Sequence, residues 1–263
     1  MPELPQELID HIIDHICDKS SLKACSLVCS QWSARSRKRL FAQVKFKSEK
    51  DLRRWCTHVR SGPSGPSSLV EDLSISEYQS HSTRHRPPTP WLPLLSRATS
   101  HLRSFSGLRA LEIWRWKMYT HDVSSALRSL GPSCENVTCL TLGDVVVDPS
   151  TLAMFLTHFP RLNDLSIYSI ILPNADDGGS IWHHGFHPDV VPIHPRGEFY
   201  ESGVAMFRDS KGFYKSITLL EPRFRKISLR HDGYDMWRDY WPLLEACGGS
   251  LEELYILATA TGE

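Results

Sequence analysis

Residues 162–167, with the sequence LNDLSI, carry apolar side chains at their first, fourth and sixth positions. The same spacing recurs at 70–75, 108–113, 137–142, 224–229 and 251–256. Val44 and Phe46 match the last two positions of a still earlier copy. Most successive copies lie 25 to 38 residues apart, and one step of 62 residues interrupts the series. A repeated unit of this length is a small structural module that buries its core by stacking on its neighbours.

Each copy predicts a short strand, because its last two apolar positions alternate and therefore point to one face of the strand. That face stays exposed in a single repeat and is buried when the strands stack in parallel. The spacing matches the roughly 20–29-residue period of leucine-rich repeats. We therefore predict an α/β fold with an irregular leucine-rich-repeat-like solenoid of parallel strands. The alternative is a generic α/β domain with six unrelated strands.

One position departs from a regular leucine-rich repeat. An Asn is expected three residues after the last apolar position, where it satisfies backbone donors between repeats. Other residues occupy this position in the chain, namely Trp116, Val145, Ile170, Asp232 and Thr259. The departure predicts an imperfectly curved stack.

Composition excludes several classes of protein. Hydrophobic side chains make up 41% and charged ones 23% of the 263 residues, which is ordinary globular usage. Lys+Arg and Asp+Glu both total 30, so a net-basic nucleic-acid-binding protein is not the first expectation. No apolar run approaches the ~18 residues of a membrane span, and no secretory signal is visible. Seven scattered cysteines favour a reducing compartment, so we expect the cytoplasm, the nucleus or both.

Basic residues concentrate between 31 and 60, where ten basic side chains stand against two acidic ones. One interpretation is a patch that binds phosphate or nucleic acid. The other is a solvated helix face followed by the outer face of a strand. We adopt the second interpretation, because no recognisable nucleic-acid motif accompanies the cluster.

The first forty residues predict three short helices. Apolar residues recur at helical spacing in 8–16 and in 22–29, and Ser30 precedes a third helical segment. Three helices of this size bury too little surface to be very stable alone, so we expect them to dock on another structure.

Three motifs in this region resemble the F-box: L-P-x-E-L-x-x-x-I at 4–12, L-x-x-C-x-L-V-C-x-x-W at 22–32, and L-F at 40–41. The resemblance covers roughly residues 3–47. F-box modules dock on the Skp-type adaptor of cullin ubiquitin ligases. The resemblance therefore implies a helical module over 1–47, a repeat domain over 48–263, and a role as the substrate-recruiting subunit of such a ligase.

The resemblance also implies which side chains contact the adaptor. They are Leu4, Pro5, Leu8, Ile9, Ile12, Leu22, Val28 and Trp32. Some of these residues must instead form the core of the module, and the sequence alone does not separate the two sets.

Two insertions, near 79–93 and 173–203, interrupt the predicted stack, and long insertions in compact domains are often functional. Aromatic residues of the second insertion are predicted to contact an unknown protein target; they are Trp182, Phe186, Phe199 and Tyr200. The alternative is that these rings cover the stack, because the 62-residue step leaves room for one hidden repeat.

The second insertion also holds the best candidate metal ligands, His184, His187 and His194 with Asp176 and Asp177. We interpret it as a polar surface loop, because neighbouring Gly and Pro residues disfavour a helix that would bring the first two histidines together. No nucleophile elbow, zinc-protease motif or phosphate-binding loop occurs. We therefore expect no enzyme activity, cofactor or metal. A binding scaffold outside any ligase and a metal-dependent enzyme remain as alternatives.

Overall fold

The computed structural model describes residues 4–58, 65–76, 105–118, 134–147, 149–169, 193–202, 214, 217–231 and 237–258. Ten strands lie in these ranges: β1 Gln43–Phe46, β2 Asp72–Ser76, β3 Ala110–Trp114, β4 Lys117–Met118, β5 Cys139–Gly143, β6 Val146–Val147, β7 Asp164–Tyr168, β8 Glu198–Ser202, β9 Lys226–His231 and β10 Glu253–Ala258. Eight of them form one sheet in the order β1-β2-β3-β5-β7-β8-β9-β10, and every neighbouring pair is parallel. The predicted α/β fold with parallel strands is confirmed.

Six α-helices are described: α1 Gln6–His15, α2 Lys19–Cys25, α3 Ser30–Ala42, α4 Glu49–His58, α5 Pro149–Leu156 and α6 Trp237–Cys247. The first three precede the sheet, and α3 leads directly into β1. Helix α4 follows β1 and buries Leu52 against the sheet, as its amphipathic spacing requires. The helical module predicted over residues 1–47 thus includes β1, a strand that belongs to the sheet.

A line of backbone hydrogen bonds crosses the whole sheet just before the strands begin. Each bond joins the N–H of one repeat to the carbonyl at the equivalent position of the preceding repeat, with N···O distances of 2.7 to 3.0 Å. The donors are Glu71, Arg109, Thr138, Asn163, Gly197, Arg225 and Glu252. This shared bonding keeps the strands in register, so equivalent side chains lie side by side.

The core occupies one face of the sheet. Residues at the first alternating position are buried from β1 to β9, and those at the second position are buried from β1 to β7 and in β9; examples are Leu73, Leu140 and Leu165 at the first position, and Ile75 and Leu142 at the second. Ring and aliphatic side chains outside the strands cover them, among them Phe105, Phe155, Phe159, Leu220 and Leu243. Alternate residues of the strands face the other side of the sheet.

The 62-residue step contains a further strand. Strand β8 lies between β7 and β9, with Phe199 opposite Leu165 on one side and Ile227 on the other. Phe199 is completely buried, and its ring lies 5.3 Å from that of Phe224. The hidden repeat therefore exists as a strand, and Phe199 is a core residue.

Although the expected Asn residues are missing, three of the turns that follow strands share a regular backbone feature. Arg115, Asp144 and Ser169 directly follow β3, β5 and β7, and each has a positive φ, between 50° and 61°. The N–H of Arg115 donates to the carbonyl of Gly143, and that of Asp144 to Tyr168, at 2.7 and 2.8 Å. The left-handed backbone conformation costs a non-glycine residue about 1–2 kcal/mol, and these inter-repeat hydrogen bonds offset part of that cost.

Candidate interaction surfaces

The helical module of α1, α2 and α3 has a small core of its own. Ile9, Ile13 and Leu22 are buried together, and Ile16, Trp32 and Leu40 pack partly against them. Of the predicted adaptor contacts, Ile9 and Leu22 therefore belong to the interior of the module, and Trp32 is half-buried at its margin.

The other predicted contacts stay exposed. Leu8 and Ile12 lie at four-residue spacing on α1, and Leu4 stands four residues before Leu8, just ahead of the helix; each of the three residues is 44% to 52% exposed to solvent. Pro5, also exposed, stands at the N-cap position of α1. Leu27 and Val28 in the turn after α2 are 86% and 64% exposed. We call these residues, Leu4, Leu8, Ile12, Leu27 and Val28, the N-terminal apolar surface.

Polar contacts hold α1 in place on α3 and cap the start of α2. The Arg35 guanidinium donates from Nε to the Asp14 carboxylate at 2.8 Å and lowers the pKa of that carboxyl group. Arg39 donates to the carbonyl of Asp14 at 3.1 Å. Asp18 caps α2 by accepting from the Ser21 N–H at 2.7 Å. Hydrogen bonds from the Ser20 hydroxyl and the Ser21 N–H lower the pKa of Asp18 to about 2.

Part of the basic cluster is used inside the chain. Arg35 and Arg39 contact α1 as described, and the Lys38 ammonium lies 3.6 Å from the Glu71 carboxylate, beside the sheet. These contacts account for three of the basic side chains between 31 and 60 without a nucleic-acid partner.

An aromatic group lies on the face of the sheet opposite the core. The rings of Trp114 and Tyr168 stack at 5.5 Å with an interplanar angle of 27°, although β5 separates their strands. Gly143 is the β5 residue between them, and a Cβ at this position would overlap the Trp114 ring. Tyr200 adds a third ring, 5.2 Å from Tyr168. We call Trp114, Tyr168 and Tyr200 the sheet aromatic patch.

The patch is half-exposed and has an acidic neighbour. Burial raises the pKa of Tyr168, and the nearby Tyr200 and Glu112 raise it further. Glu112 lies two residues before Trp114 on β3, so it shares this face of the sheet with the rings. Three adjacent rings with partial solvent access form an apolar group of the kind that is enriched at protein interfaces.

The predicted target residues separate into three groups. Phe199 is buried and is removed from the candidate target surface, whereas Tyr200 belongs to the sheet aromatic patch. Trp182 and Phe186 lie outside the described residues, as do the insertion 79–93 and the histidines 184 and 187. Trp114 and Tyr168 were missed by the sequence reasoning. The sequence does contain a shared feature that could have identified them, because both residues stand directly after the last apolar position of their repeat.

The described residues hold no group of three His, Cys, Asp or Glu side chains that could bind a metal ion. His194 instead faces Glu221, with its Nδ1 3.3 Å from the carbonyl oxygen and 3.5 Å from the carboxylate. All seven cysteines have unbridged thiols, and burial raises the pKa of Cys134 to about 12. A buried thiol of this kind stays protonated and behaves as a small apolar side chain.

No family model matches the chain, and no curated protein matches its sequence. Among the described residues, no helix has the length and apolar character needed to cross a membrane.

Proposed function

We propose that the protein is the substrate-recruiting subunit of an SCF-type cullin ubiquitin ligase. The N-terminal helices would bind a Skp-type adaptor, and the sheet would bind a protein target. The observation that carries the proposal is the division of apolar residues at α1: Ile9 and Ile13 are buried, while Leu8 and Ile12 on the same helix, and Leu4 just before it, face solvent. These exposed residues belong to the motifs that resemble the F-box.

The size of the N-terminal apolar surface supports a binding role. A soluble helix ordinarily turns its polar side chains to water, and a cluster of exposed large apolar side chains marks an interaction site. Burying one leucine or isoleucine contributes roughly 1.5–3 kcal/mol. Several such side chains from α1 and from the turn after α2 supply enough free energy for a stable complex.

For the sheet we propose an irregular leucine-rich-repeat-like solenoid. In support, the strands add in parallel in the order of the chain, and the same backbone hydrogen bond joins every repeat to the next. Solenoids of this kind bind partners through the exposed face of their strand array. The target would then contact the sheet aromatic patch.

This role requires no bond chemistry from the chain itself. One end would hold the ligase and the other the target, so that ubiquitin transfer becomes effectively intramolecular.

The test is binding to a purified Skp-type adaptor, measured by calorimetry. The double variant Leu8→Ala with Ile12→Ala should bind at least about tenfold more weakly, because both side chains lose the contact area that they bury in the complex. Trp241→Ala is the matched control, since Trp241 is an exposed apolar side chain on α6, in another part of the chain. This control should leave adaptor affinity unchanged.

Circular dichroism on each variant shows whether the helices are intact. Equal adaptor affinity for the wild-type chain and the folded double variant would contradict the proposal. A pull-down from native extract separates the main alternative. Recovery of adaptor and cullin supports a ligase subunit, whereas recovery of other proteins without them indicates a scaffold outside any ligase.

A further inference from the structure

The last strand of the sheet exposes an unusual run of apolar side chains. Leu254, Tyr255, Ile256 and Leu257 are each between 44% and 56% exposed, although they lie in register with β9. Leu254 and Ile256 occupy core positions, opposite the fully buried Ile227 and the almost fully buried Leu229. Within the described residues, no strand pairs with the second edge of β10.

The backbone of β10 also has unused hydrogen-bonding groups at this edge. The N–H of Glu253 donates to the carbonyl of Arg225 on the β9 side. Peptide groups of successive residues in a strand point to opposite edges, so those of Leu254, Ile256 and Ala258 point away from β9. A long, apolar and unprotected edge strand is a template for pairing with another strand.

We infer that this edge joins a second copy of the chain by antiparallel pairing of β10 with β10 about a two-fold axis. The inference does not depend on the proposed ligase role. A two-fold axis perpendicular to the sheet continues it from one copy into the next and keeps both cores on the same side. Residues 254–258 carry no charge, so no like charges meet in the pairing.

One register of this antiparallel pairing directs the free peptide groups of both copies to the junction. With Ile256 opposite Ile256 of the partner subunit, Leu254 lies opposite Ala258 of the partner subunit, and all three of these residues turn their peptide groups to the new junction. Tyr255 and Leu257 then pair with each other across the opposite face. Every pair is apolar, and apolar cross-strand pairs stabilise a sheet.

Charge at the two ends of β10 fits the same arrangement. Glu252 is paired at 3.3 Å with Arg225, just before β9, and Glu253 is the acidic residue that directly precedes the apolar run. The exposed Arg230 lies beside the other end of the run on β9. Antiparallel pairing brings Glu253 of one copy toward Arg230 of the other, whereas a parallel arrangement would place the two Glu253 side chains together.

Sedimentation equilibrium of the full chain over a range of concentrations tests the inference. The wild-type chain should reach twice its 30.0 kDa mass and not exceed it, because two-fold edge pairing closes the assembly. Ile256→Pro removes an N–H that points to the junction and leaves the β9–β10 bonds in place. It should weaken the dimer at least about tenfold.

Two further variants keep the test decisive. If Ile256→Pro does not fold, Ile256→Lys puts a charge on the edge and should have the same effect. Gln43→Lys, at an exposed position of β1 on the other edge of the same sheet, is the matched control and should leave the dimer unchanged. A wild-type chain that stays monomeric, or that forms larger assemblies, would overturn the inference.

Cysteine cross-linking tests the register. Ile256→Cys should form an intermolecular disulfide under mild oxidation, because the two residues 256 face each other within the distance that a disulfide spans. Leu254→Cys should not, since the two residues 254 lie about four residues apart along the paired strands. Cross-linking of Leu254→Cys in place of Ile256→Cys would refute this pairing.

Discussion

The two ends of the eight-stranded sheet are built differently. At the β1 end, Val44 and Phe46 are buried, and the ring of Trp55 from α4 lies 6.0 Å from Phe46. The remaining β1 side chains, Gln43 and Lys45, are polar and exposed. At the β10 end, the equivalent core positions are half-exposed and apolar residues occupy both faces.

This difference shows what a terminal strand needs in a stacked sheet. Every inner strand has a neighbouring strand on each side, but a terminal strand has only one neighbour. Its core side chains therefore remain exposed to solvent unless another element covers them. Helix α4 and the ring of Phe41, 6.2 Å from Trp55, close the β1 end. A short strand with a central lysine further discourages pairing at that edge. The β10 end has neither protection among the described residues.

The largest expected effect compares the second core position at the two ends. Phe46→Ala should lower the free energy of unfolding by about 3–5 kcal/mol, because it leaves a cavity under Trp55. Ile256→Ala should cost less than about 1 kcal/mol, since half of that side chain already contacts water. Urea unfolding at low protein concentration, where self-association is absent, measures both values. Equal losses would mean that the two ends are covered alike.

A smaller effect is expected in the middle of the sheet, where neighbours lie on both sides. Gly143→Ala should displace the Trp114 ring and break its stacking on Tyr168, at a cost of about 0.5–1.5 kcal/mol. The near-ultraviolet circular dichroism of the stacked rings should fall. Thr141→Ala, on the same strand and face, is a control that leaves the stacked rings in place. An unchanged spectrum for Gly143→Ala would contradict the assigned role of the glycine.

The smallest effect concerns pH at the helices that precede the covered end. Asp18 has its pKa lowered to about 2, below its ordinary value of 3.8. Its cap therefore stabilises α2 fully above that ordinary value, and the stabilisation is lost as the pH falls toward 2. NMR shifts of the α2 amides should report this loss. Asp18→Asn keeps an oxygen for the Ser21 N–H but does not titrate, so its α2 amides should respond less to acid; identical acid responses would refute the role of the carboxylate.

Strand β8 shows why one repeat was not recognised as a strand from the sequence. Its core positions are Phe199 and residue 201, a glutamate, so only one apolar residue remains of the alternating pair. Periodicity detects a strand by repetition of apolar positions and fails where a polar residue interrupts it. The neighbouring strands β7 and β9 determine this strand instead, because their hydrogen bonds fix its position and register between them.

The sheet aromatic patch depends on contacts that no local pattern contains. Trp114 and Tyr168 are 54 residues apart in the chain, and they meet only because β5 places a glycine between their strands. Each ring alone looks like an isolated surface residue. Aligning the repeats shows that the two residues occupy the same position of their repeats, but their stacking requires the spacing and register of the sheet.

The sequence by itself determined the α/β class, the strands that carry both alternating apolar residues and the three N-terminal helices. Side-chain alternation and helical spacing act over a few residues, so these elements follow from local pattern. Tertiary structure alone decided which apolar side chains are interior and which remain exposed. Ile9 and Leu8 are adjacent and chemically alike, and Leu229 and Ile256 are alike at the same position of their repeats, yet only one residue of each pair is buried. Burial is a property of the neighbours that surround a side chain, and those neighbours come from distant parts of the chain.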